Sequence, residues 1–380
     1  MVIELTEEQE AVRQAASEFA RKELLPGVIE RDEQQKFPLE QVKKMGELGF
    51  MGMMVHPDYN GGGMDTISYM LAISEIAAVD ASAAVIMSVN NSLVCWGLEK
   101  YGREEQKAKY LMKLATGEIL GAFCLSEPEA GSDATSQRTS AKDMGDYYLV
   151  NGTKNWITNG NSASVYIVFA QTNPELKHNG INALIIEKSW EGVTVGRKEN
   201  KLGIRGSDTH SIMFSDVKVP KENRLADEGY GFKLAMKILS GGRIGIAAQA
   251  LGIALASLDL SIRYAKERHA FGKAIAQHQA IQFKLSEMAT KIEAAKLLCY
   301  QAAYFKDKGK DFTMESAMAK YFASETAMFC ASEAIQIHGG YGYVKDYHVE
   351  RFLRDAKITQ IYEGTTEIQK IVISRELLIK

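Results

Sequence analysis

Proline placement constrains this chain more than any other feature. Six prolines stand at Pro26, Pro38, Pro57, Pro128, Pro174 and Pro220, and none follows Pro220. Proline lacks an amide donor and clashes with the preceding helical turn, so the C-terminal part is free to form long helices. Helical texture near 233–268, 278–306, 313–337 and 363–378 predicts a bundle. Its alanine-rich faces, such as Ala247, Ala248, Ala254 and Ala256, allow close approach. Ser240-Gly241-Gly242-Arg243 reads as a soft break in the first of these helices, its arginine lining a cleft or anchoring a junction. Ahead of the prolines' end the texture differs. Residues 1–118 read as helices: Thr6 and Gln9 have capping-box spacing, and Val12, Ala16, Phe19, Ala20 and Leu24 follow at helical intervals until Pro26-Gly27. Asn90-Asn91, inside an apolar stretch, could face a ligand, or be a polar pair at a helix kink. Residues 119–232 break into short β-rich runs, with turn signals at Asn151-Gly152 and Asn159-Gly160. They predict an antiparallel sheet or small barrel, not the strand, glycine loop and helix of a dinucleotide fold. The fold class is therefore α+β: an N-terminal helical domain (1–118), a middle β domain (119–232) and a C-terminal helical bundle (233–380), with a ligand cleft where the three meet.

Composition narrows the function. A chain of 380 residues with 24% charged residues and a formal net charge of -3 has no general attraction for nucleic acid or anionic membrane. The N-terminus is acidic and lacks an apolar signal core, and no apolar run reads as long enough for membrane insertion. A cytoplasmic location is expected, although a matrix protein with its transit peptide trimmed would look the same. Cys95, Cys124, Cys299 and Cys330 are far apart and read as reduced core residues. The histidines show no ligand spacing, so no metal site is expected.

Several short stretches can carry chemistry. Glu363, in Gln360-Ile361-Tyr362-Glu363-Gly364-Thr365-Thr366-Glu367, stands between an apolar pair and a glycine. A carboxylate mounted at the edge of something packed has its pKa raised toward neutrality, which suits a general base; an acid in a helix-capping loop explains the same octapeptide. The polar loop 125–133 could meet the hydrogen-bonding edge of a planar cofactor, or be a plain turn. Trp156 and Thr158 would share one face of a strand and suit a flavin ring, or a core tryptophan beside a surface threonine. Arg268, ahead of Phe271 and Gly272, could grip a diphosphate or simply oppose a helix dipole. Gly339-Gly340 would let backbone lie against a dinucleotide, or cap a helix.

In order and spacing these stretches are more specific than any one alone. Ser-Glu-Pro-x-Ala-Gly-Ser-Asp at 126–133, Trp156-Ile157-Thr158, Arg268-x-x-Phe271-Gly272, Gln336-x-x-Gly339-Gly340 and Ile361-Tyr362-Glu363-Gly364-Thr365 closely resemble the acyl-CoA dehydrogenase family. The resemblance runs over essentially the whole chain and is strongest to the short-chain, butyryl-CoA dehydrogenase branch, through Met87-Ser88-Val89-Asn90-Asn91-Ser92 and Gly242-Arg243-Ile244-Gly245-Ile246-Ala247. It implies that Glu363 removes the α-proton of an acyl thioester while a hydride leaves the β-carbon for flavin N5, giving a trans-2-enoyl-CoA. It implies FAD held by Phe123, Leu125, Ser126, Gly131, Ser132, Trp156, Ile157 and Thr158, with Thr365 and Glu367 on the other side. Ser132, Ser240, Gly241, Gly242, Arg243 and Gly364 would face the CoA thioester, the backbone N–H of Glu363 stabilising the enolate oxygen. Arg268, Phe271, Gln279, Gln336, Gly339 and Gly340 match positions that grip the FAD diphosphate and adenosine partly across a subunit boundary, which implies a homotetramer built as a dimer of dimers. Electrons would pass to an electron-transfer flavoprotein. Ser240 departs from the family, where close short-chain relatives usually have Asp. Gln249, Ile253 and Thr359 match positions that shorten the acyl pocket. Straight, branched or small cyclic acyl chains all remain open, as do an oxidase of the same fold and an inactive acyl-CoA- or FAD-binding scaffold.

Overall fold

Capping and burial decide the N-terminal helices. The computed structural model describes residues 4–379. Glu7–Phe19 starts from the expected box, with Thr6 and Gln9 capping each other's amides. Asp80 accepts from the N–H groups of Ser82 (2.9 Å) and Ala83 (3.2 Å), which starts a helix running from Ala81 to Tyr101. Inside it, Val89–Cys95 widens to π-helical geometry, a local irregularity that needs outside support. Asn90 and Asn91 supply it. Asn90 donates to Met51 O (2.9 Å) and Leu114 O (3.0 Å) and accepts from Gly121 N–H, while Asn91 donates to Phe50 O (2.8 Å) and accepts from Met53 N–H. The pair staples the core together.

By length and composition, Ala81–Tyr101 and Gly231–Glu267 could cross a membrane, contrary to the expectation from sequence. They are core helices, 94% and 72% buried over their apolar windows. All four cysteines are free and buried, as expected.

The middle domain comprises β1 (Gly121–Cys124), β2 (Ser140–Asp143), β3 (Tyr147–Thr158), β4 (Val165–Gln171), β5 (Ile181–Glu187), β6 (Val193–Lys198), β7 (Thr209–Pro220) and β8 (Arg224–Leu225). Hydrogen bonding orders them β6-β7-β3-β2-β4-β5-β8, with β1 also on β4. The sheet is mostly antiparallel but mixed, because β1 pairs with β4 in parallel and β2 meets β4 in parallel at Ser140 and Gln171. The chain reaches β4 from β1 by way of the β2–β3 hairpin, so the two strands enter from the same end. Asn151-Gly152 is not the turn that its sequence suggests. It lies within β3 as a bulge, Gly152 (φ 147°) packing against Thr139, and the hairpin reverses instead at Gly145 (φ 94°).

The C-terminal bundle contains Gly231–Glu267, Gln279–Asp307, Thr313–His338, His348–Thr359 and Thr366–Ile379. His348–Thr359 was not anticipated, and Ser240-Gly241-Gly242-Arg243 is no break: the first helix runs straight through it. The last helix starts at Thr366 and not near 363, which leaves Glu363 in the preceding turn. His348–Thr359 joins all three domains. Arg351 donates to Val79 O (2.8 Å), Arg354 pairs with Asp32 (2.8 Å), and Asp355 accepts from Ile204 N–H (2.5 Å). Ile204 itself sits at φ 44°, a strained conformation for a β-branched residue.

Candidate active site

Glu363 follows directly from that linking helix. Glu363 has φ 52° and Gly364 φ 94°. The non-glycine residue in left-handed space costs of order 1–3 kcal/mol and persists only if its surroundings enforce it. They do so from three sides. Lys320 Nζ donates to Gly364 O (2.6 Å), Gln369 Nε2 donates to Gly364 O (2.8 Å) and Glu363 O (3.3 Å), and Thr366 N–H donates to Gln360 O (3.0 Å). Before the turn, the Tyr362 hydroxyl donates to Gln249 Oε1, while Gln249 Nε2 donates to Ala81 O (2.8 Å).

The carboxylate faces Gly242. A Cβ added at residue 242 would lie 2.1 Å from Glu363 Oε2 and 2.7 Å from Leu93 Cδ2. This is why a glycine, worth about 1 kcal/mol less than alanine inside a helix, stands in the middle of the Gly231–Glu267 helix. Glu363 as a residue is half-buried, yet its Oε2 is sealed from solvent and has no hydrogen-bond partner; Arg243 Nε and Gln369 Oε1 share that state. The Glu363 N–H likewise donates to nothing among the described residues. Burial raises the Glu363 carboxyl to about 7, against the opposing pull of Lys320 and Arg243. Burial also lowers Arg243 to about 10 and Lys320 to about 8. A sealed, unpartnered carboxylate oxygen, two buried cations acting on it and an unbonded backbone amide thus belong to one turn and its surroundings, the kind of group set that recognises a polar ligand. Ser240 is turned away from such a role, its hydroxyl donating back to Met236 O (3.0 Å).

A second group lies on the sheet. Phe123 packs on Phe169 (centroids 4.9 Å apart), Leu125 and Ile157 are buried, and Gly131 and Ser132 are exposed, with open space where a Gly131 Cβ would be. The loop is built around Glu127, which accepts from Lys154 Nζ (2.7 Å), Arg138 N–H (2.5 Å) and Thr139 N–H (3.0 Å). Ser126 O accepts from Asn155 N–H (2.8 Å). Trp156 is 61% exposed at φ 61°, within a bulge that interrupts the alternation expected to place it and Thr158 on one face. Its indole presents a bare aromatic surface beside the loop.

The remaining residues lie apart. β9 (His269–Ala270) and β10 (Lys273–Ala274) form a hairpin whose tip is Phe271 (φ 52°) and Gly272 (φ 80°), and Phe271 is 96% exposed. Arg268, Gly339 and Gly340 line a cavity of about 740 Å³ with Tyr264, His338 and Tyr347, whereas Gln279 and Gln336 are exposed on the helices beside it. Glu363, Trp156 and Ser126 are not in its lining. Thr365 Oγ1 accepts from Ile368 N–H (3.3 Å), and Glu367 is exposed in the first turn of the last helix.

Sequence reasoning missed Lys320, Gln369 and Lys154. Two of them left a trace: Lys320 falls on the buried stripe Ser316, Ala317, Ala319, Ala323, Ser324 and Ala327, and Lys154 continues the inward positions Tyr148 and Val150 of β3. A charge on an inward position signals a paired or functional group.

This architecture and this turn define a family. The chain matches the N-terminal, middle and C-terminal domain models of acyl-CoA dehydrogenases over residues 6–118, 122–217 and 229–378, and it belongs to the acyl-CoA dehydrogenase family. It is 50% identical over 374 residues to an acyl-CoA dehydrogenase of Bacillus subtilis, covering 98% of this chain and 99% of that one. Among solved structures, butyryl-CoA dehydrogenase from Megasphaera elsdenii superposes with a TM-score of 0.98 at 47% identity, over 100% of both chains. A chain in a structure described as the electron transferring flavoprotein of Acidaminococcus fermentans superposes with a TM-score of 0.99 at 48% identity, also over 100% of both.

Proposed function

We propose that the protein is an FAD-dependent dehydrogenase that converts short-chain acyl-CoA thioesters to trans-2-enoyl-CoA and passes the electrons to an electron-transfer flavoprotein. The observation that carries this reading is Glu363: a carboxylate raised to about 7, with its Oε2 unpartnered, in a strained turn beside a free backbone N–H. Such a group is ionised often enough near neutrality to take a proton, and basic enough to take it from carbon. In the step, Glu363 would accept the α-proton, the electron pair of the α-C–H bond would become the new double bond, and the β-hydrogen would leave with its own bonding pair as hydride. A bound FAD supplies the acceptor for that hydride. The Glu363 N–H donates to the thioester oxygen as negative charge grows there. Arg243 and Lys320 favour the ionised carboxylate against the larger, opposing effect of burial.

The loop Leu125 to Ser132 and the exposed face of Trp156 fit a planar ring, and Arg268 with Gly339 and Gly340 fits a diphosphate. These two groups do not share one cavity and Phe271 projects into solvent, which supports a second group that serves the cofactor of a neighbouring copy in a homotetramer. Gln249, Ile253 and Thr359 are fully buried, and Gln249 is tied at both ends of its amide, so this wall yields little and favours a short chain. The likeness to butyryl-CoA dehydrogenase supports that preference, and the likeness to the electron transferring flavoprotein structure supports the acceptor. A cytoplasmic location accords with the charge and composition.

The test is an anaerobic absorbance titration with butyryl-CoA. Bleaching of the flavin band with a long-wavelength charge-transfer band is expected. Glu363→Gln retains flavin but neither bleaches nor turns over; unchanged turnover in that variant overturns the reading.

A further inference from the structure

Lys320 is a costly residue where it stands. Its side chain has no solvent exposure, and its one hydrogen bond among the described residues is to Gly364 O at 2.6 Å. Removing an ammonium from water without a carboxylate partner is expensive, and the Gly364 carbonyl does not need it as a staple. Gln369 Nε2, a neutral donor, already bonds that same oxygen at 2.8 Å. A neutral side chain at position 320 would complete the turn at lower cost. The property that only the lysine adds is its charge.

We infer that Lys320 is a positioning residue for the reaction, a buried cation whose hydrogen bond to Gly364 O holds the turn that carries Glu363 and whose charge acts on the neighbouring carboxylate. This rests on the reading of Glu363 as the base. The charges around the pair are few. Arg243 on the Gly231–Glu267 helix is the other cation acting on Glu363, and Arg375 on the last helix acts in turn on Arg243. Glu325 on the Thr313–His338 helix and Glu367 on the last helix favour the charged form of Lys320. Tyr69 on the Thr66–Ala77 helix and Tyr362 also feel Glu363 but stay neutral, since burial and that carboxylate raise both. Of the two cations, Lys320 exerts the larger pull on Glu363. It also grips the peptide immediately after the carboxylate, so its charge and its hydrogen bond act on the same turn. The resulting division of labour is specific. Gln369 holds shape, and Lys320 holds shape and adds a charge that favours the ionised carboxylate.

The test is the protonation midpoint of Glu363 itself, read by infrared difference spectroscopy on the holoenzyme without substrate, the Glu363 carboxylic-acid band being assigned by its loss in Glu363→Gln. In Lys320→Met the midpoint is expected to rise by about one pH unit or more, and in Lys320→Arg to return toward the parent value. The acid limb of the kcat profile should follow, so that at pH 7 the ionised fraction falls from about a half to about a tenth and kcat drops about fivefold. Lys320→Gln carries the same test should the methionine variant fail to fold. A folded neutral variant with an unmoved Glu363 midpoint overturns the inference. Failure of butyryl-CoA to bleach the parent enzyme would instead overturn the function and leave the midpoint result standing, which separates the two.

Discussion

Gly242→Ala tests the geometry at its tightest point. The added methyl would lie 2.1 Å from Glu363 Oε2, where ordinary contact begins at 3.4 Å, so the carboxylate must retreat by about 1.3 Å (3.4 minus 2.1) unless the helix moves. The helix is held on both sides of this point by buried packing, whereas the carboxylate is the free end of a flexible side chain. Stability should therefore change little. Alanine gains about 1 kcal/mol of helix propensity, and crowding against Leu93 costs about 1–3 kcal/mol. Catalysis should suffer far more, because a misplacement of about 1 Å at a reacting group costs on the order of 100-fold. The assay is kcat with butyryl-CoA, beside flavin content and thermal unfolding. Gly241→Ala is the paired control: its methyl meets only Lys306 Nζ, at 3.8 Å, and its loss should be at least about tenfold smaller. A Gly242→Ala enzyme within about threefold of the parent would refute the placement of the base against this glycine.

Three other outcomes are expected. Lys154→Met leaves Glu127 buried without its cation and should lower unfolding free energy by about 3–5 kcal/mol, measured by denaturant titration; a loss under about 1 kcal/mol would show that the pair does not hold the loop. Glu363→Gln should stabilise the fold at pH 8, because a carboxyl raised to about 7 from its ordinary 4.5 is disfavoured in its charged form when folded. That gain should shrink as pH falls through 7 and vanish below about 4.5, and a pH-independent difference in melting temperature would contradict it. Phe271→Ser should leave the protomer's stability within about 0.5 kcal/mol while weakening both the proposed subunit association, read by sedimentation, and flavin retention; unchanged sedimentation with flavin retained would remove this hairpin from the proposed interface.

What the sequence disclosed, and what it withheld, follows from the range of the interactions concerned. Capping at Thr6 and Gln9, the β-rich middle and the long C-terminal helices depend on neighbours a few residues apart, and all were legible. The mixed pairing of β1 with β4 was not, since strand partners are chosen across the sheet. Asn151-Gly152 carried a hairpin signature, but Thr139 lies against Gly152 and turns the pair into a bulge. Glu363 was noticed through its flanking residues. Lys320 and Gln369, which impose its conformation, stand on other helices, and no local pattern connects them to it. Gly241-Gly242 looked like a helix break because propensity alone cannot show that a carboxylate needs the room.

The His348–Thr359 helix has a consequence for how the protein comes into being. Its bonds to Val79, Asp32 and Ile204 close over sequence separations of 272, 322 and 151 residues. Contacts of such range cost loop entropy before they return anything, and this helix lies C-terminal to every one of those partners. Val79, Asp32 and Ile204 therefore lack these bonds until the helix docks. The turn that presents Glu363 follows only four residues after Thr359. On the proposed role of Glu363, turnover then reports the completion of folding: a chain that ends before this turn, or stalls before this clasp closes, has no base in place.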